Sequence, residues 1–235
     1  MALLNRDDWY DIARDVDWTL SYVDPEVAFP EEWTGTQSIP DEAWADWDEP
    51  FRVSYREYVM VQREKESGVN AIREALVRAK VYQHLDDGHK ASSHLHMGTT
   101  CMVEQMAVTL QSRFCRFAPT GRWRTLGIFG MLDEIRHAQL DMRFSHDLLN
   151  EDPRFDWCQK AFHTNEWGVL AVKNFFDDIM LNADCVEAAL ATSLTVEHGF
   201  TNIQFVALAS DAMEAGDINF SNLLSSIQTD EARHA

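Results

Sequence analysis

From Tyr55 onward, apolar residues recur at helical spacing, Gly and Pro become sparse, and no stretch sustains the alternation of a β-strand. The spacing and its breakers predict helices over 55–80, 91–117, 122–149, 165–181, 185–214 and from 218 onward. Pro119 and Gly121 close the second and Pro153 lies just beyond the third. Asp184 and Asp217 stand where a side-chain oxygen caps the following helix, and Gly216 where the preceding one must stop. The first 54 residues differ. Pro25, Pro30, Pro40 and Pro50 and five of the eight tryptophans mark extended or short-helical chain. The pattern therefore predicts an all-α protein with an N-terminal arm (1–54) wrapping a single helical domain (55–235). The last helix still runs when the sequence stops at Ala235, so a longer polypeptide is expected.

Composition narrows the class. With 235 residues, 46% of them hydrophobic, the chain suffices for one substantial core. A formal net charge of -19 argues against nucleic-acid binding, which needs clustered Lys and Arg to release counterions. Nine carboxylates and no Lys or Arg lie between Asp24 and Pro50, making the arm acidic as well as aromatic. No apolar run is long enough for a signal peptide or a membrane span, so a soluble, cytoplasmic protein is expected. Cys101, Cys115, Cys158 and Cys185 are widely spaced and read as free thiols rather than a disulfide frame.

One short sequence occurs twice: Asp133-Glu134-Ile135-Arg136-His137-Ala138 and Asp230-Glu231-Ala232-Arg233-His234-Ala235. On a helix, residues three apart share a face, so each Glu and His converge on one point. A single such pair is more often an exposed ion pair, but two near-identical copies with dissimilar flanks favour a repeated metal clamp. Two further carboxylates are needed to neutralise and bridge two metal ions. Glu104 and Glu197 qualify, each on an apolar helix without a local cationic partner. The order Glu, Glu-x-x-His, Glu, Glu-x-x-His is the known pattern of di-metal carboxylate bundles. Four carboxylates and two imidazoles suit iron or manganese, with iron first, and not structural zinc. Asp133 and Asp230 are placed to accept the free imidazole N–H of a liganding His, each serving the opposite clamp. His94 and His96 are two apart and point in opposing directions, and His198 is rotated about 100° from Glu197, so none is expected to ligate with them.

With these residues in view, the chain resembles throughout its length the hydroxylase α-subunit of the soluble di-iron monooxygenases, the toluene, alkene and isoprene group. The resemblance rests on Asp8-Trp9-Tyr10, Glu104, Asp133 to His137, Asn165-Glu166-Trp167, Glu197 to Asn202 and Ser225 to His234. It implies a ferritin-like di-iron four-helix bundle with extra helices and a site of two carboxylate-bridged iron ions. There O₂ is activated, one oxygen atom enters a small hydrocarbon, and the other leaves as water. Electrons come from NADH through an NADH-dependent reductase and a Rieske ferredoxin; β and γ subunits and a small effector protein complete the system. By the same resemblance Thr201 assists proton transfer, Asn202 and Gln228 respond to the effector, and Thr100, Val103, Ala107, Phe176, Thr192, Val196 and Phe205 line the substrate pocket. Alternatively, the Thr201 hydroxyl simply bonds a backbone carbonyl.

His94 to Cys101 and Thr195 to His198 look closest to the isoprene and alkene branch, so epoxidation of a small alkene is expected, with aromatic hydroxylation (toluene, benzene, phenol) as the alternative. A ferritin-like iron-binding protein fits the ligand order nearly as well, but the aromatic arm and Thr201 weigh against it. A radical-generating ribonucleotide reductase subunit would need a redox tyrosine near a ligand, and all five tyrosines precede residue 83. A metal-free bundle, its glutamates paired with Arg136 and Arg233, would leave buried carboxylates at high cost.

Overall fold

The computed structural model describes residues 3–13, 27, 29–33, 38–157 and 160–234. Trp18, Pro25 and Cys158, which entered the reading of the sequence, lie outside them. The described residues form helices and turns, with no strand among them. The helices are α1 (Arg6–Ala13), α2 (Asp41–Asp46), α3 (Tyr55–Arg78), α4 (Asp87–Phe117), α5 (Gly121–Leu148), α6 (Trp167–Asn182), α7 (Cys185–Ala189), α8 (Asn202–Ala215) and α9 (Ile218–His234). Between α7 and α8 the chain stays helical but widens into a π-helix, Leu190–Thr201.

Side-chain caps explain where the long helices start. Ser54 accepts from the Glu57 N–H, Asp86 from His89, Thr120 from Trp123, Asp184 from Glu187 and Asp217 from Phe220, at 2.9–3.3 Å. Asp86 sets α4 four residues earlier than the apolar spacing indicated. Helix α8 stops at Gly216, whose φ of 87° is left-handed, and the Asp217 N–H reaches back to the Ala212 carbonyl at 2.7 Å.

Helices α4 and α5 form the tightest pair. At Gly127 an added Cβ would sit 2.9 Å from the Cys115 backbone nitrogen and 3.0 Å from the Phe114 Cβ, so the two backbones meet where a side chain would hold them apart. Helices α8 and α9 fold back on each other, and the Ser221 hydroxyl donates to the Ala209 carbonyl at 2.8 Å. One apolar core (Met97, Leu140, Phe144, Phe205, Phe220, Leu224, Ile227) fills one end of the bundle; a second (Leu110, Phe114, Phe117, Phe176, Ile179, Cys185) fills the other. Described parts of the first 54 residues lie on the second end. Phe29 packs on Phe117 at 5.3 Å, Trp44 stacks on Trp123 at 5.8 Å, and Glu32 pairs with Arg113 at 2.8 Å. Cys101 and Cys185 are buried and Cys115 is partly buried, and none of the three is in a disulfide.

Candidate metal centre

Four helical segments deliver six buried side chains to one point between the two cores: Glu104 from α4, Glu134 and His137 from α5, Glu197 from the π-helix, Glu231 and His234 from α9. They form two groups, each with its donor atoms within 4.8 Å of one another: Glu104, Glu134, His137 and Glu231, and Glu134, Glu197, Glu231 and His234. Glu134 and Glu231 belong to both. The carboxylates standing between the two positions are therefore those of the clamps, whereas Glu104 and Glu197 each belong to one position. Glu134 divides its oxygens, with Oε2 3.3 Å from the His137 Nδ1 and Oε1 3.2 Å from the His234 Nδ1. The His137 Nδ1 also lies 3.1 Å from Glu231 and 3.4 Å from Glu104.

The donor set fits two hard cations. Glu197 belongs to one of the groups, and its Oε2 is buried without a hydrogen-bond partner among the described residues, an unmet acceptor that a cation would satisfy. Electrostatics agree. Burial holds the Glu197 carboxyl well above the usual carboxylate range, and burial together with the Glu231 charge pushes Glu134 up to about 7. Burial opposes charge on the imidazoles, yet hydrogen bonds to Asp230, Glu104, Glu134 and Glu231 outweigh it at His137 and hold that imidazole well above its ordinary value. At His234 burial likewise opposes the charge, but the Glu134, Glu197 and Glu231 carboxylates together outweigh it and raise the imidazole to about 9. These shifts favour protons on Glu134, Glu197 and the two imidazoles when no metal is bound, and metal binding would release them.

Behind the histidines lies a second layer. The His137 Nε2 faces the Asp230 Oδ2 at 3.3 Å, and the His234 Nε2 faces the Asp133 Oδ2 at 3.1 Å, so each aspartate meets the histidine of the other copy. Arg136 donates to Asp230 at 2.9 Å and to Glu66 at 2.7 Å, while Arg233 pairs with Asp133. The two arginines thus engage the second-layer aspartates, which leaves the clamp glutamates to face one another. Helix α3 supplies further partners: the Tyr58 hydroxyl donates to Asp133 at 2.8 Å, Gln62 to both aspartates, and Lys65 to Asp230. The reading of the sequence placed a helix over 55–80 but gave it no part in the centre. Its signal is an inverted face, because Val59, Met60 and Val61 are exposed while Tyr58 and Gln62 turn inward.

On the carboxylate side a cavity of about 40 Å³ is walled by Val103, Ala107, Leu110, Phe176, Thr192, Val196 and Thr201 beside Glu104, Glu134, Glu197 and Glu231. Gln111 also lines it and was not anticipated; its side chain lies against Gly130, where a Cβ would clash at 2.6 Å. Thr100 and Phe205 do not line this cavity. Thr100 turns its hydroxyl back to the His96 carbonyl at 2.6 Å, and Phe205 packs edge-on against His96 in the first core. The Thr201 hydroxyl donates to the Val196 carbonyl, five residues back, at 3.2 Å, while the residue also borders the cavity. Gln228 donates to Asn202 at 3.2 Å, joining the end of the π-helix to α9. His94 meets Tyr82 at 3.1 Å and Asp152 at 3.2 Å, His96 is buried against Phe205 and Phe220, and His198 is exposed, so all three stand apart from the two groups.

This fold and centre define a ferritin-like helical bundle built around paired carboxylate and histidine groups suited to two metal ions. The chain belongs to the Methane/Phenol/Alkene Hydroxylase family, whose sequence model matches residues 18–235, and is of the α-subunit type of the soluble di-iron hydroxylases. It is 81% identical over 235 residues to the alkene monooxygenase system oxygenase component subunit alpha of Xanthobacter autotrophicus Py2, covering 100% of this chain and 47% of that one. It is 28% identical to the oxygenase component of phenol 2-monooxygenase from Pseudomonas sp. CF600, covering 97% of this chain and 44% of that one. The chain thus spans about half the length of these relatives. In structure it is similar to phenol hydroxylase from Pseudomonas sp. OX1, with a TM-score of 0.80 at 27% identity over 100% of this chain and 47% of that one. Toluene 4-monooxygenase shares the fold, with a TM-score of 0.79 at 18% identity over 96% of this chain and 76% of that one. No described helix is long and apolar enough to cross a membrane.

Proposed function

We propose that this chain carries the di-iron site of a hydroxylase that inserts one atom of O₂ into a small alkene, giving an epoxide and water. The observation that carries the reading is the pair of groups sharing Glu134 and Glu231, with a small, mainly apolar cavity against their carboxylate side. The 81% identical relative, named as an alkene monooxygenase component, favours an alkene over an aromatic ring. Two iron ions, when bound, supply the redox capacity to activate O₂. The protein holds them through Glu104, Glu134, His137, Glu197, Glu231 and His234. Asp133 and Asp230 fix the histidine rings and their tautomers. Val103, Ala107, Phe176, Thr192 and Val196 seat the hydrocarbon and exclude water. The Thr201 hydroxyl borders the cavity and, turned away from the Val196 carbonyl, would be the group able to relay a proton there.

The reaction consumes alkene, O₂, two electrons and two protons. We assign the electron supply to NADH through a reductase and a Rieske ferredoxin, and the working assembly to β and γ subunits with a small effector protein. Residues 1–54 act as the arm and 55–235 as the di-iron domain, and the assembly works in the cytoplasm. The test uses the full-length α-subunit in its reconstituted complex. About two irons per α-subunit and epoxide formation dependent on NADH and the partner proteins are expected. Metal-free protein of normal stability overturns the reading, and exclusive turnover of phenol or toluene replaces the alkene with an aromatic substrate.

A further inference from the structure

Resting on the di-iron reading, we infer that Gln62 is a positioning residue that couples the two histidine sides of the centre. Its Nε2 lies 2.6 Å from the Asp133 Oδ1 and 2.9 Å from the Asp230 Oδ1, so the two amide hydrogens serve one aspartate each. Each aspartate turns its other oxygen to a histidine, Asp133 to His234 at 3.1 Å and Asp230 to His137 at 3.3 Å. A continuous path, His234 to Asp133 to Gln62 to Asp230 to His137, thus joins the two metal positions on the side away from the shared carboxylates. The other partners described here touch one aspartate apiece: Tyr58 and Arg233 hold Asp133, while Lys65 and Arg136 hold Asp230.

Two features point to these aspartates as what sets the amide. The Gln62 Oε1 is buried without a hydrogen-bond partner among the described residues, so the carbonyl end does not dictate the orientation, and an unmet acceptor is tolerated to keep Nε2 between the carboxylates. The inverted face of α3 brings a neutral donor to a position where apolar Val59, Met60 and Val61 point outward. Each N–H withdraws charge from its carboxylate, which then accepts less strongly from the imidazole N–H behind it. The imidazole becomes a weaker donor to its metal, and the reduced metal is favoured. Because one side chain does this to both aspartates, it tunes both metal positions together.

The test measures the midpoint potentials of the two successive one-electron reductions of the full-length hydroxylase complex, following the half-reduced state by electron paramagnetic resonance. Gln62→Met, of similar length and without the amide, should retain two irons and shift both potentials negative. Tyr58→Phe removes a neutral hydrogen bond from Asp133 alone and should shift the two steps unequally. A role confined to packing α3 would lower thermal stability in Gln62→Met and leave both potentials in place, which overturns the inference, as does a shift in one step only. If Gln62→Met loads iron poorly, Gln62→Asn serves instead: its shorter amide reaches one aspartate at most, and wild-type potentials there overturn the coupling. Wild-type complex without two irons defeats the di-iron reading itself, a result distinct from two irons whose potentials ignore Gln62.

Discussion

The Nε2 of His234, in the second copy of the repeated sequence, lies 3.1 Å from the Oδ2 of Asp133, in the first. Asp133 is thereby positioned to fix ring and tautomer for a ligand 101 residues away. Asp133→Ala is expected to weaken metal binding by roughly 10–100-fold, read by competition with a chelator of known affinity. Unchanged affinity would remove Asp133 from the centre's support.

The shared glutamates make a stoichiometric prediction. Glu231 belongs to both groups and Glu104 to one. Glu231→Ala should lose both metal ions, whereas Glu104→Ala should keep about one per α-subunit, measured by elemental analysis of the purified complex. Equal losses in the two variants would contradict the bridging geometry.

Stability of the metal-free protein should depend on pH in a defined window. The folded-state value of His234 is raised from 6.5 to about 9, so its proton contributes stability fully below 6.5 and that contribution is lost as pH rises through 9. Glu134, raised from 4.5 to about 7, loses its contribution at lower pH in the same direction. The thermal midpoint of the metal-free protein should therefore fall between pH 6.5 and 9, and metal loading should release protons and flatten the slope. A midpoint that rises over this range would count against protons holding the centre.

Thr201→Ala should leave metal content unchanged while product formation falls by roughly 10²–10⁴-fold, the usual scale of a lost proton-transfer group. Product formed per O₂ consumed is the informative ratio. Wild-type coupling in the variant would reduce Thr201 to its bond with the Val196 carbonyl.

Gly127→Ala improves helix propensity by about 1 kcal/mol, yet the new Cβ would stand 2.9 Å from the Cys115 backbone nitrogen. Net destabilisation of about 1–3 kcal/mol is expected, measured by denaturant unfolding. A stabilised variant would mean that α4 and α5 separate at little cost.

Much of this was legible because helical spacing is a local property. The repeated Glu-x-x-His copies, the caps at Asp184 and Asp217 and the stop at Gly216 each follow from residues within a turn or two. What sequence spacing could not supply was long-range or register-dependent. The π-helix from Leu190 to Thr201 leaves no periodic signature in so short a span, although Thr192, Val196 and Thr201 within it do line the cavity. Thr100 and Phe205 share helical faces with pocket residues, but their depth along the bundle puts them elsewhere. Tyr58, Gln62 and Lys65 were hidden because a polar inward face looks, in sequence alone, like a solvated one.

That inward polar face makes α3 a register lock. An apolar helix face tolerates sliding by a turn, since one methyl group packs much like another. Directional bonds from Tyr58, Gln62 and Lys65 to two fixed carboxylates permit a single axial setting, and any other leaves buried Asp133 and Asp230 short of donors. The helix that binds no metal itself thus fixes where the metal-facing histidines can sit.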